Sequence, residues 1–318
     1  MERHHLPRLI LVALSAAGMA LGWDIWWHQA LGRESFFQPP HIITHISVMI
    51  AILSGWFGYY TYRERQWGWL VLVLLLIPLS APFDELWHRI FGTEQVTSPW
   101  IIWSPPHVIL DFALNASCLM LLPILRRDPD PVARWIFCSL VFANVMGGML
   151  FLTMPVHPLG NWALLGFIGA GVVSLVLIFV LLMAQRAIDG FATATLVTIL
   201  YLILTIGCFG KNGPGFVGVP FAIPSAWFPA VSTLVAALTL DLLRHHMVLV
   251  RGSLAGFIAA SVFYLFSPSF LKVEYLYSRS EMFMAIFSGT IGGLGAAIVF
   301  LAVQTFIRLP VPSGQRNV

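Results

Sequence analysis

The sequence predicts an all-α, polytopic membrane protein of about ten transmembrane helices with both termini in the cytoplasm. Three observations lead there. The 318 residues are 58% hydrophobic and only 10% charged, far below the charge of an ordinary soluble domain. The apolar residues are gathered into ten runs, each long enough to cross a hydrocarbon core about 30 Å thick. The basic residues fall mainly on alternate connections between those runs.

The runs cover residues 8–30, 42–62, 67–88, 106–125, 132–153, 162–185, 190–208, 225–243, 252–267 and 282–307. In lipid only helices and closed barrels satisfy their backbone groups, and runs of this length exceed a barrel strand. The connections are short and leave no room for a soluble domain. The start of the chain has the look of a signal peptide, with Arg3 and Arg8 before an apolar run and then Ser15, Ala16, Ala17 and Gly18. That run continues into Trp23, Trp26 and Trp27, an interfacial anchor, so the expectation is a first transmembrane helix.

Orientation follows from the arginines and lysines. Arg3, Arg8, Arg63, Arg65, Arg126, Arg127, Arg134, Arg186, Arg244, Arg251, Arg308 and Arg316 lie at one set of span ends, 12 of the 17 basic residues. Arg33, Arg89, Lys211, Lys272 and Arg279 lie at the other. The richer side is expected to be cytoplasmic and the membrane to be the cell's inner membrane. Scattered in this way, the net charge of +3 does not point to nucleic acid. Cys118, Cys138 and Cys208 show no paired spacing, which excludes a disulfide framework and a cysteine metal motif.

Two copies of one pattern occupy the opposite, non-cytoplasmic side. The first reads Asp24-x3-His28, then Gly32, Arg33, Glu34, Pro39-Pro40-His41 and His45. The second reads Asp84-x3-His88, then Gly92, Glu94, Pro105-Pro106-His107 and Asp111, with a loop six residues longer. This is an internal repeat of a helical hairpin, relatable by a pseudo-twofold along the membrane normal. Residues four apart share a helix face, so Asp24 and His28, like Asp84 and His88, can address one point. Proline fits the first helical turn, so His41 and His107 enter level with the preceding helix end. One aspartate and two histidines from two helices form an N/O ligand set suited to Cu, Zn or Fe. Such groups are costly near hydrocarbon unless they have work to do.

Other residues support more than one reading. Glu34 and Glu94 are either carboxylates orienting a ligating histidine or loop charges partnered by Arg33 and Arg89. His45 and Asp111, one turn deeper, are additional ligands, proton-relay groups or structural residues. His157, on the motif side, either caps the site or is a loop histidine, and His245-His246 are read as headgroup contacts. Gly289 and Gly293 form a small-x3-small pair for helix packing, and Trp100, Trp103, Trp162 and Trp227 fit an outer aromatic belt. No transport pathway, P-loop, nicotinamide-binding or Ser-His-Asp signature is present.

The first copy resembles the C subunit of the copper membrane monooxygenases, the particulate methane and ammonia monooxygenases. That family carries Asp-x3-His-x12-His with a tryptophan before the first histidine, a glutamine after it, a basic-acidic pair and Pro-x-His-Ile-Ile. Asp24, Trp27, His28, Gln29, Arg33-Glu34, Pro39 and His41-Ile42-Ile43 stand in that order here. A second family cluster, Asn-x3-His and a later histidine, corresponds to Asp84, His88 and His107. The resemblance covers about a third of the chain, and residues from about 130 onward match nothing in it. Asp84 replaces the family's asparagine, the second loop is longer, and the motif begins in the first helix instead of after several.

The resemblance implies one or two copper ions, with zinc as the alternative, held by Asp24, His28 and His41 and by Asp84, His88 and His107. Asp24, His28 and His41 would be the catalytic set. It implies a monooxygenase-type oxidoreductase or its copper-bearing subunit, acting on O2 and a small apolar substrate beside other membrane subunits. The alternative is a non-catalytic copper-binding subunit for storage or delivery. Residues 1–125 would form a four-helix metal-binding part and residues 126–318 a six-helix scaffold or interface.

Overall fold

The computed structural model describes residues 4–30, 37–91, 103–151, 166–188, 190–209, 227–271 and 279–306. Among them all regular structure is helical, in ten helices: α1 (His5–Ala30), α2 (Pro39–Tyr62), α3 (Arg65–Phe91), α4 (Pro105–Leu125), α5 (Pro131–Phe151), α6 (Gly166–Ala187), α7 (Thr193–Phe209), α8 (Trp227–Leu242), α9 (Val248–Leu271) and α10 (Arg279–Phe306). Each coincides with one expected span to within four residues at either end. Eight are long and apolar enough to cross a membrane, which makes this an integral membrane protein by length and composition. The other two, α7 and α8, have 17 and 16 residues. One ends and the other begins at the edge of the described residues, so eight of the ten expected spans are met within those residues. The glycine- and proline-bearing segment 210–226 that separates them lies outside those residues.

By internal contacts the chain falls into two units, residues 1–152 with 203–221 and residues 153–202 with 222–318. In the first, α1 packs on α2, α2 on α3, α3 on α4 and α4 back on α1, while α5 lies against α1 and α4. The contacts are close because small residues line them. The ring of Trp67 is fully buried, and a Cβ added at Gly58 would stand 2.5 Å from it. Leu6, Ile10, Leu11 and Leu14 put one stripe of α1 in the core. Leu9 and Val12, on its other face, are exposed, as suits a lipid-facing surface.

Polar pairs tie this unit together. Arg8 grips Asp128 through two hydrogen bonds of 2.8 and 2.7 Å. Asp130 then accepts from the backbone N–H groups of Val132 and Ala133, capping α5 as aspartate does before an N1 proline. Deeper, Asn144 of α5 donates to Ser15 of α1 at 2.9 Å. Helix α3 carries Pro78 and Pro82 in its interior, upstream of Asp84.

In the second unit α10 packs on α6 and α9, and α9 on α8. A Cβ on Gly252 would lie 2.7 Å from the Gly293 carbonyl oxygen, and one on Gly289 would overlap Ala260 at 2.5 Å. The Gly289–Gly293 pair therefore serves helix packing within the chain. Asp241 accepts from Gln185 Nε2 at 2.7 Å, from the Thr195 hydroxyl at 2.7 Å and from the Thr195 N–H at 2.8 Å. A carboxylate at the end of α8 thus caps the start of α7.

Candidate metal centre

Both candidate centres lie in the first unit, where one helix ends and its hairpin partner begins. Prolines start the returning helices, as their fixed φ favours. Gln38, with φ −65° and ψ 152°, precedes Pro39 and Pro40. Ser104, with φ −60° and ψ 146°, precedes Pro105 and Pro106. Each N-cap is extended and makes no side-chain cap to the backbone. His41 and His107 therefore occupy the same third helical position in the two copies.

In the second copy the aspartate and both histidines come together. Asp84 Oδ1 stands 3.2 Å from His88 Nε2 and 3.2 Å from His107 Nε2. The His88 and His107 rings meet edge-on with centroids 5.6 Å apart. One donor atom from each residue lies within 4.8 Å of the other two, a set able to hold a metal ion. The fit is quantitative. Donors about 2.1 Å from a tetrahedral ion are separated by about 3.4 Å, close to both aspartate–histidine distances. His88 is buried. Ser104 Oγ lies 3.0 Å from His107 Nδ1, which orients the ring from the nitrogen facing away from Asp84.

Comparison with protein-family models, with curated proteins and with solved structures found no match.

The first copy differs. Asp24 Oδ1 is 3.0 Å from His41 Nε2, so the expected partners do meet across α1 and α2. Gln38 Nε2 donates to the same Asp24 oxygen at 2.7 Å and lies 3.3 Å from His41 Nε2. The side chain of His28 is outside the described residues, as are Glu34, Glu94 and His157. The His45 ring lies one turn below His41, with centroids 6.2 Å apart.

Asp111 is buried beneath His107 but does not join the triad. Its Oδ2 accepts from Asn115 Nδ2 at 2.9 Å. Its Oδ1 would lie 2.6 Å from a Cβ at Gly148, so the absent side chain on α5 makes room for this carboxylate. His245 and His246 are exposed at the end of α8, and Trp103 is exposed beside Ser104. Pattern reading missed Gln38, Ser104, Asn115 and Gly148. The first two were detectable as the residues directly before each Pro-Pro-His; the last two carry no sequence signal until α4 and α5 are packed.

Proposed function

We propose that the chain is a copper-bearing membrane protein, a monooxygenase-type oxidoreductase or the copper-carrying subunit of one. The observation that supports this best is the convergence of Asp84, His88 and His107, whose donor atoms are close enough together to hold a cation. Among the described residues three donors converge there; a site with three protein ligands and one open position would suit catalysis, a closed set of four a structural role. Copper in such an N/O set supplies one-electron chemistry with O2 for attack on a small apolar substrate. The chain's own contribution is to fix donor geometry and to bury His88 away from water. Asp24, His28 and His41, in the first copy, would form the other ion site, giving one or two ions, with zinc as the alternative metal.

In this reading both termini are cytoplasmic, the centres face the non-cytoplasmic side of the inner membrane, and other membrane subunits complete the complex. A reporter fused after Val318 that is reached only from outside overturns that orientation. The rival is a subunit that stores or delivers copper without catalysis. The test is metal analysis of the purified protein, with wild type, His28→Ala and His107→Ala compared in native membranes for bound copper and oxygen-dependent product. Copper and product lost together support catalysis. Copper lost from membranes that retain every partner yet never form product leaves the storage reading. Copper unchanged in both variants overturns the metal reading itself.

A further inference from the structure

The two hairpins repeat one motif but are not equivalent, and the difference lies in the residue directly before each Pro-Pro-His. We infer that Gln38 closes the first centre to cations, so that the second fills first and the two bind with distinct affinities. This rests on the metal-binding reading above.

The argument is geometric. Gln38 Nε2 is 2.7 Å from Asp24 Oδ1 and 3.3 Å from His41 Nε2, and those two atoms are 3.0 Å apart. The amide nitrogen thus completes a triangle with the two atoms that would bind an ion. An ion about 2.1 Å from both, on the side where Gln38 lies, would overlap that nitrogen. The amide also directs the positive end of an N–H dipole toward the space, which repels a cation and occupies a lone pair of Asp24. For an ion to enter on that side, Gln38 must break its charge-assisted hydrogen bond to Asp24, a bond stronger than a neutral one.

Ser104 at the matching N-cap has the opposite effect. Its hydroxyl contacts Nδ1 of His107 at 3.0 Å, the ring nitrogen remote from Asp84. A hydroxyl can accept from Nδ1–H, so this contact supports the tautomer that an ion on Nε2 requires. The serine is too short to reach between the donors. One N-cap position therefore prepares the second centre and blocks the first.

The experiment is chelator-competition titration of the full-length protein in detergent with Cu(II) and with Zn(II), backed by elemental stoichiometry. Wild type, Gln38→Ser, Ser104→Gln and both N-cap changes in a His107→Ala background are compared. Circular dichroism and size-exclusion profiles matching wild type qualify each variant. Wild type is expected to hold one ion tightly and to lose it in His107→Ala. Gln38→Ser is expected to tighten the first centre at least about ten-fold, the scale of changes to groups around a ligand, and to do so also in the His107→Ala background. Ser104→Gln should weaken the second centre. If wild type binds one ion that His107→Ala removes, but Gln38→Ser adds no affinity, the metal reading stands and the role of Gln38 falls. If Gln38→Ser weakens the first centre, Gln38 is a ligand and the inference is reversed. If no variant binds either metal, both fall.

Discussion

Asp84 and His107 come from different helices, yet Oδ1 of one and Nε2 of the other stand 3.2 Å apart at the mouth of the α3–α4 hairpin. His88 approaches the same oxygen at the same distance, so a single carboxylate oxygen is the point on which both imidazoles converge.

Removing either imidazole should therefore be severe. His88→Ala and His107→Ala are each expected to weaken Cu(II) or Zn(II) binding by more than about 100-fold, beyond the 10- to 100-fold typical of groups behind a ligand. Ser104→Ala, which acts only through His107, should cost about ten-fold. Binding should also fall as the medium is acidified, because protons compete for the imidazole nitrogens. Equilibrium competition against a chelator of known affinity measures all three.

Gly58→Ala should destabilise the first unit by about 1–3 kcal/mol, the cost of overpacking a filled interior. The added methyl would lie 2.5 to 2.8 Å from three carbons of the Trp67 ring, a rigid and fully buried group. Relief requires α2 and α3 to move apart. Thermal unfolding in detergent reads the loss, and an unchanged midpoint would contradict this packing.

For the Arg8–Asp128 pair, the expectation concerns single against double substitution. The Asp128 side chain is 1% exposed and that of Arg8 19%. Asp128→Ala should cost about 3–5 kcal/mol because it strands a guanidinium away from water. Arg8→Met combined with Asp128→Ala should cost less than Asp128→Ala alone. A double-mutant cycle by denaturant unfolding decides it; additive losses would mean that the pair is not coupled.

Asp241→Ala should destabilise the second unit by roughly 1–3 kcal/mol, the cost of leaving buried donors unsatisfied. It removes the acceptor for Gln185 and for both the N–H and hydroxyl of Thr195. Thr195→Val, which removes one of these donors, should cost about 1 kcal/mol. Hydrogen exchange at the start of α7 should rise in Asp241→Ala and change little in Thr195→Val.

Helix positions were legible because long apolar runs leave the backbone few choices in lipid. Pro39-Pro40 and Pro105-Pro106 marked the starts of α2 and α4, and Asp-x3-His correctly placed Asp84 and His88 on one face. The longer second loop and Asp84 already set the two copies apart in sequence; what the pattern did not give is the contact each N-cap makes, Gln38 with Asp24 and Ser104 with His107. That depends on whether an N-cap side chain reaches between two donors, a matter of length and rotamer. The pattern also left Asp111, one turn past His107, open between ligand, proton relay and structural group. Asp111 is claimed by Asn115 on its own helix and accommodated by Gly148 from α5, a contact made only in three dimensions.

Pro78 and Pro82 give α3 a property that α1 lacks beyond its first turn. Neither proline has an N–H, so the carbonyls of Leu74 and Pro78 lose their usual helical partners. Asp84 and His88 sit on the turns that follow, attached to the body of α3 by a thinned ladder of backbone bonds. Prolines inside a helix are where kinks form, and any bend there would carry both donors together. Asp24, on an unbroken rod, has only its own side-chain torsions to adjust. The second hairpin thus carries its donors beyond a break in the backbone ladder that α1 does not have.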